Sequence, residues 1–220
     1  MISLTLISGC CFVAMTGFVF AGGAHIALPQ PRHDGEVSVE RALRARRSVR
    51  EYRKEALTVP EIAQMLWAAQ GITDPDGLRT APSAGALYPL EVYLVAANVE
   101  DLEPGVYKYA PSTHALVPLR EGDQRKKVAA AALRQECVKT APALLVFTAV
   151  YARTAKKYGG RAQRYAHMEV GHAAQNVYLQ AEALGLGTVM VGAFDDKPLA
   201  RALELPQKEA PLALMPLGKR

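Results

Sequence analysis

Between Gln163 and Leu184 the chain carries a helix whose apolar residues lie on two faces, and no other stretch limits the fold as much. Val170, Ala173, Ala174, Val177, Ala181 and Leu184 recur at i, i+3, i+4 and i+7 spacing and form one stripe. Met168 and Leu179 fall on nearly the opposite side. Such a helix has to be covered twice, either inside a core or between two subunits. Gly171 in mid-helix costs about 1 kcal/mol relative to alanine, so it is expected to admit a close backbone contact. At 220 residues, with 50% of them apolar, the chain is long enough to supply one sizeable core, and one domain is the default.

The remaining elements follow from local signals. Ser38–Arg47 reads as a helix with Val39, Ala42 and Leu43 on one side. Thr58-Val59-Pro60-Glu61 is a capping box with proline where a missing N–H does no harm, and its helix runs through Trp67 to Gln70, with Gly71 as the stop. Leu90–Ala97 alternates and is rich in Val and Tyr, a strand; Val106–Tyr109 and Ala115–Leu119 flank a turn and suggest a hairpin. Asp123–Cys137 is alanine-rich and helical, and Ala143–Tyr151 is a continuous apolar run of strand length. Thr188–Gly192 is a strand, Lys197–Leu203 a short helix and Leu212–Leu217 a final strand. Hairpins mixed with crossovers fit α+β better than a doubly wound parallel sheet.

The first 31 residues hold no Lys, Arg, Asp or Glu, and Ile2–Ala21 is mostly apolar. Residues 1–24 therefore read as a signal peptide or N-terminal anchor, 25–37 as a linker and 38–220 as the folded domain. Export, periplasmic or with membrane attachment through residues 2–21, is the expectation; a mis-assigned start is the alternative and leaves the chain cytoplasmic. Cys10 and Cys11 lie in this leader, and Cys137 alone remains beyond it, so the domain holds no internal disulfide.

The net charge of +5 owes much to Arg41, Arg44, Arg46, Arg47, Arg50, Arg53 and Lys54, diluted by Glu40, Glu51 and Glu55. A solvated helix face accounts for such a cluster. So does a compact phosphate site, because guanidinium groups stay charged and fork onto phosphate oxygens. No aromatic-interleaved basic surface, zinc-finger pattern or helix-turn-helix pattern accompanies it, so nucleic acid is not an expected partner.

Several motifs look like chemistry and fail on spacing. Pro82-Ser83-Ala84-Gly85 is no nucleophile elbow, because Ala81 stands where the first glycine is required. Gly185-Leu186-Gly187 lacks the third glycine of a dinucleotide fingerprint, Met190 taking its place, and the strand follows rather than precedes it. His167 and His172, with Glu169 between, are five apart and point about 140° from each other on a helix, so no metal is expected. Arg46-Arg47-Ser48-x-Arg50 is a cationic turn after a helix, with a hydroxyl to complete an anion's shell.

Taken in order, RRSVR at Arg46–Arg50, PSAGALYP at Pro82–Pro89 and KYGGRAQRYAHMEVGHAAQNVYLQAEALGLGTVMVGA at Lys157–Ala193 resemble the nitroreductase-like flavoprotein family. General nitroreductases usually carry PSSxNxQPW where this chain has PSAGALYP, and that difference resembles the SagB-type dehydrogenase branch. The resemblance covers Arg41 to Gly218. It implies an α+β nitroreductase-like fold, a mixed, mainly antiparallel sheet flanked by helices around a long central helix. It also implies FMN as cofactor and a homodimer with two flavins at the interface.

By position, the resemblance sets Arg46, Arg47 and Ser48 at the flavin phosphate and ribityl chain, and Arg50 at the pyrimidine edge. Pro82, Ser83 and Ala84 lie along the flavin, often from the other subunit. Val191, Gly192 and Ala193 bring backbone N–H groups to N5 and O4, and Lys219 and Arg220 close on the phosphate. Lys157 and Tyr158 handle the substrate proton, since removing hydride from carbon leaves a proton for a base. The implied reaction is hydride removal by oxidised flavin from a small or peptide-derived substrate. An NAD(P)H-driven reductase of nitroaromatics or quinones, with NAD(P)H as co-substrate, is the alternative, and a non-catalytic flavin-binding module is the second.

Overall fold

The computed structural model describes residues 25–220. The leader with Cys10 and Cys11, and the attachment expected of residues 2–21, lie outside the described residues. The expectation of export is corrected: among the described residues no helix is long and apolar enough to cross a membrane, and no feature of the described fold supports export.

Seven strands make one sheet in the order β1-β4-β3-β2-β5-β7-β6. These are β1 (Ile26–Ala27), β2 (Leu90–Ala96), β3 (Gly105–Ala110), β4 (Ala115–Glu121), β5 (Ala143–Ala149), β6 (Leu186–Thr188) and β7 (Ala210–Lys219). Every strand pairing is antiparallel; the parallel component is an isolated bridge between Leu57 and Val99. The central strand β5, ALLVFTA, is buried at every position. It reads as an unbroken apolar run because both faces of the sheet are covered.

On one face, Leu145 and Phe147 of β5, Val92 and Leu94 of β2 and Met215 of β7 meet α2 (Val59–Gln70) and α6 (Ala162–Ala183). Each such side chain contributes about 1.5–3 kcal/mol through burial. On the other face, Leu144, Val146 and Val95 meet α3 (Arg125–Ala131), α4 (Glu136–Thr140) and α7 (Asp196–Ala202). Outside α6 lies α1 (Val39–Ala45), and α5 (Tyr151–Tyr158) follows β5 directly. The Thr58–Glu61 capping box is formed as read, with both reciprocal bonds present.

Four local expectations change. The strand read over Thr188–Gly192 instead spans Leu186–Thr188, and Val191 beyond it makes only an isolated bridge to Leu214. The helix read over Asp123–Cys137 is two short helices, because Leu133 and Arg134 adopt left-handed backbone (φ 54° and 57°). The Arg134 N–H then closes on the Ala129 carbonyl at 2.8 Å. The run Ala143–Tyr151 ends as a strand at Ala149, and the polar YARTAKKY after it turns helical. On α6 the stripe from Val170 to Ala181 is buried against the sheet as read, but the second face is covered only toward its C-terminal end, where half-buried Leu179 lines a cleft with Val39 and Ala42 of α1. Met168 is 58% exposed and a Cβ on Gly171 would meet nothing within 4 Å, so no close contact is made there among the described residues.

One charge lies deep in the sheet. The Glu209 side chain, 1% exposed, accepts from Tyr93 Oη and Thr148 Oγ1, both at 2.7 Å, and from Lys108 Nζ at 2.9 Å. Burial acts to raise its carboxyl, but the bonds from Lys108, Tyr93 and Thr148 together outweigh burial and hold it below its ordinary 4.5. Its stabilising effect is therefore full above that value and lost as pH falls through the lower folded-state value. Glu209→Gln is expected to cost about 2 kcal/mol at neutral pH. Urea unfolding should show the gap between the two proteins closing as the buffer is taken to about pH 3.

Candidate active site

The cationic motif is held at the sheet edge by backbone. After α1 the Arg46 N–H still bonds the Ala42 carbonyl at 2.8 Å, while Arg46 itself turns extended. The Val49 N–H then donates to the Thr188 carbonyl (2.9 Å) and the Arg53 N–H to the Lys219 carbonyl (3.0 Å). Two glycines make room for this strip. A Cβ on Gly187 would stand 2.6 Å from Val49 Cγ1, and one on Gly218 would stand 2.6 Å from Tyr52 Cβ. Tyr52 Oη donates to the Val49 carbonyl at 2.8 Å and closes the turn.

Tyr178 of α6 gathers this region. Its hydroxyl accepts from the Met190 N–H at 2.8 Å and shares a 3.2 Å hydrogen bond with Ser48 Oγ. The Arg46 guanidinium lies 5.2 Å from the centre of its ring, and Arg46 Nε is buried without a hydrogen-bond partner among the described residues. Arg47 donates to the carbonyls of Arg44 (3.0 Å) and Arg46 (2.8 Å). Arg50 is exposed beside Tyr52 and Cys137; burial raises both of those groups and the Arg50 charge opposes it.

Val191 spends its N–H and carbonyl on Leu214, at 2.8 and 2.9 Å. The next two residues, Gly192 and Ala193, are exposed, and their N–H groups make no hydrogen bond among the described residues. Lys219, the last residue of β7, and Arg220 are both paired. Lys219 is bonded to Glu61, the carboxylate that also caps α2, and Arg220 to Glu182, one turn beyond Tyr178.

The turn Pro82–Pro89 and the Lys-Tyr pair meet elsewhere. Gly85 is left-handed (φ 61°), and a Cβ there would stand 3.0 Å from Tyr158 Oη and 3.2 Å from Lys157 Nζ, so the position requires glycine. Ala86 and Tyr88 are left-handed as well (φ 52° and 45°), a strained backbone of the kind found at ligand sites. The Tyr88 N–H donates to Ser83 Oγ at 2.9 Å, and the Ala84 N–H to the buried carboxylate of Glu169 at 3.0 Å. Tyr158 stacks edge-on against Tyr165, ring centres 5.0 Å apart.

Sequence reasoning passed over Tyr178 and grouped Glu169 with the histidines. The signal for Glu169 was an acid flanked by the apolar stripe, where only a bonded carboxylate is tolerated. His167, its neighbour in that grouping, instead meets the Tyr151 hydroxyl at 3.1 Å.

The two clusters lie far apart on α6. Glu169 and Tyr178 are nine residues apart, which is two and a half turns, about 13 Å along the axis and on opposite sides. One chain therefore does not bring Arg46–Arg50 to Lys157 and Tyr158. Clefts of 310 and 720 Å³ at the junction of α1, α2 and α6, lined by Val39, Trp67 and Gln180, include none of these side chains. Gly218→Ala tests the strip: it should displace Tyr52 and cost about 1–3 kcal/mol in urea unfolding, with a surface alanine substitution at Gly35 as the neutral control.

The family model described as the nitroreductase family matches residues 43–219. A Methanocaldococcus jannaschii protein, MJ1384, assigned as a nitroreductase, is 49% identical over 185 residues, 84% of this chain and 92% of that protein. The microcin B17-processing protein McbC of Escherichia coli is 31% identical over 75% of this chain, which spans 63% of McbC's length. The Escherichia coli McbBCD microcin synthetase complex with truncated pro-MccB17 contains a chain that superimposes with a TM-score of 0.69, at 26% identity over 98% of this chain and 84% of that one. A nitroreductase-type structure from Anabaena variabilis gives a TM-score of 0.72 at 32% identity over 81% of this chain, which spans only 37% of that longer one. On that match and these likenesses the chain belongs to the nitroreductase family, whose members are oxidoreductases.

Proposed function

We propose that the protein is an FMN-dependent oxidoreductase of the SagB-type dehydrogenase kind, working as a homodimer whose two sites each combine residues of both subunits. The observation that carries this reading is the separation of the two clusters on opposite sides of α6. The Arg46–Arg50 motif and the Lys157–Tyr158 pair, which one chain does not bring together, are complementary halves. The exposed Met168 and the open space at Gly171 leave that part of the second face of α6 free for a partner copy.

The cationic half suits FMN on its own chemistry. Arg46 Nε is buried without a hydrogen-bond partner among the described residues and Ser48 is exposed, while Gly192 and Ala193 offer unspent N–H groups. Arg46, Arg47 and Ser48 would hold the phosphate and ribityl chain. Lys219 and Arg220 would join them by leaving or sharing their carboxylates. Arg50 would stand at the pyrimidine edge, and the backbone from Val191 to Ala193 at the N5 and O4 edge, with Gly192 and Ala193 supplying the donors. Pro82, Ser83 and Ala84 would cover the ring from the partner copy.

Bound FMN supplies the hydride acceptor. The chain's own part is proton handling: as hydride leaves a substrate carbon, Lys157 Nζ takes the proton from the neighbouring heteroatom and Tyr158 orients it. Such a positioned acceptor is worth about 10²–10⁴-fold in rate. The likeness to McbC, found in a complex with pro-MccB17, favours a peptide-derived substrate. The likeness to MJ1384 supports the second reading, an NAD(P)H-driven reductase of nitroaromatics or quinones. Oxidation of NADPH by the purified protein separates the two; without flavin reduction by NADPH or NADH the second reading fails.

The purified full-length protein is expected to show oxidised-flavin absorption and to release FMN on denaturation. A colourless protein that takes up no added FMN would overturn the reading. Arg46→Ala should weaken FMN binding about ten- to hundredfold, the loss of one charge-assisted bond. Arg46→Ala and Lys157→Ala proteins should each be inactive and regain turnover when co-expressed, because a mixed dimer has one site with both halves intact. Absence of recovery despite mixed dimers would sink the shared-site arrangement.

A further inference from the structure

The longest chain of buried and half-buried charges in the protein leads from the interior of the sheet to α5. Glu209 binds Lys108, and Lys108 stands 3.3 Å from Glu91 at the start of β2. Glu91 is paired in turn with Arg153. The other arm of the same guanidinium, Nη1, donates to the Tyr88 carbonyl at 2.9 Å. Arg153 thus ties the end of the Pro82–Pro89 turn to the first residues of β2. It lies four residues before Lys157, one turn away on the same side of α5.

Apolar burial does little to fix α5. Of its eight residues only Thr154 is buried, and no side chain caps its N-terminus. Tyr158 against Tyr165 and Tyr151 against His167 hold its outer side to α6. Its inner side depends on the Arg153 fork. The turn it faces is pinned at one end by Glu169 on the Ala84 N–H and at the other by Arg153 on the Tyr88 carbonyl. Gly85, whose bare side faces Lys157 Nζ (a Cβ there would stand 3.2 Å from it), lies between the two pins.

We propose that Arg153 is a positioning residue: by bridging the Tyr88 carbonyl and the Glu91 carboxylate it sets where α5 docks and so holds Lys157 Nζ against Gly85. Lysine does not replace it, because a single ammonium lacks the planar fork that serves a carbonyl and a carboxylate together. Glu91 acts through Arg153, and the Lys108–Glu209 pair behind it keeps Glu91 from following a displaced partner. This inference rests on the assignment of Lys157 to proton transfer, but its test does not.

The test is competitive labelling of the full-length protein with an amine-selective acylating reagent, read by peptide mass spectrometry, with Lys156, exposed like Lys157, as internal standard. In the wild-type protein the reactivity of Lys157 should differ from that of Lys156. In Arg153→Gln and Glu91→Gln the ratio should move toward one by about threefold to tenfold, the equivalent of one hydrogen bond. Arg153→Lys should shift it in the same direction while keeping the charge beside Glu91; it serves if Arg153→Gln fails to fold. A ratio unchanged in a folded Arg153 variant, even one with a lowered melting temperature, overturns the proposal and leaves Arg153 a stabilising residue only. A wild-type ratio of one overturns it as well. If Lys157→Ala retains full turnover, the proton assignment falls while the labelling result stands.

Discussion

The burial of one stripe of α6 against the sheet fixes everything that the site depends on. Ala166, Val170, Ala173, Ala174, Val177 and Ala181 are all buried there, so the helix has no freedom to rotate. That rotation sends Glu169 toward the Pro82–Pro89 turn and Tyr178 toward Ser48 and Met190. A slip of one residue on this helix turns every side chain by about 100°, and both clusters would come apart. The small residues of the stripe bring the helix close to the strands, and the price is a face that a single chain leaves partly uncovered.

The cationic cluster shows how packing converts an unremarkable charge run into something able to hold an anion. A flexible run of arginines spends entropy to order itself on a ligand. Here the backbone from Arg46 to Arg53 is already bonded to β6 and β7, and the bare edges at Gly187 and Gly218 allow the approach. The Lys219 and Arg220 side chains, by contrast, are held by Glu61 and Glu182. In the proposed FMN site they would have to leave or share those carboxylates, whereas Ser48 is already exposed. The interior charges obey the same logic at higher cost. Glu209 is tolerated because three donors meet it, and a buried carboxylate with fewer would be destabilising.

Much of this was legible in the chain as text. Periodicity located α6 to within a residue at each end, and the capping box located α2, because both signals are local and rest on backbone geometry. The order of motifs indicated the family, and the matched family model agrees with it. The break at Leu133 and Arg134 was hidden, since two residues with no turn preference take left-handed backbone only when the surrounding packing demands it. The α5 helix was hidden for the opposite reason. Its sequence has no cap, and its one stripe, Tyr151, Thr154, Ala155 and Tyr158, is short and holds no large aliphatic residue; it is held by Arg153 and by aromatic contacts with α6.

Residue types and spacing therefore set out which groups are on offer: guanidinium groups beside a hydroxyl, a Lys-Tyr pair, and glycines where backbones must pass closely. These are properties of side chains and of local geometry, and they survive without a fold. Distance and company are not local. That Lys157 faces the bare side of Gly85, that Tyr178 joins Ser48 to Met190, and that the two clusters face away from each other follow from how α6 is rotated and how β6 and β7 receive the chain. Those relations join residues dozens of positions apart, and they exist because burying the apolar stripe leaves one orientation in which the core closes.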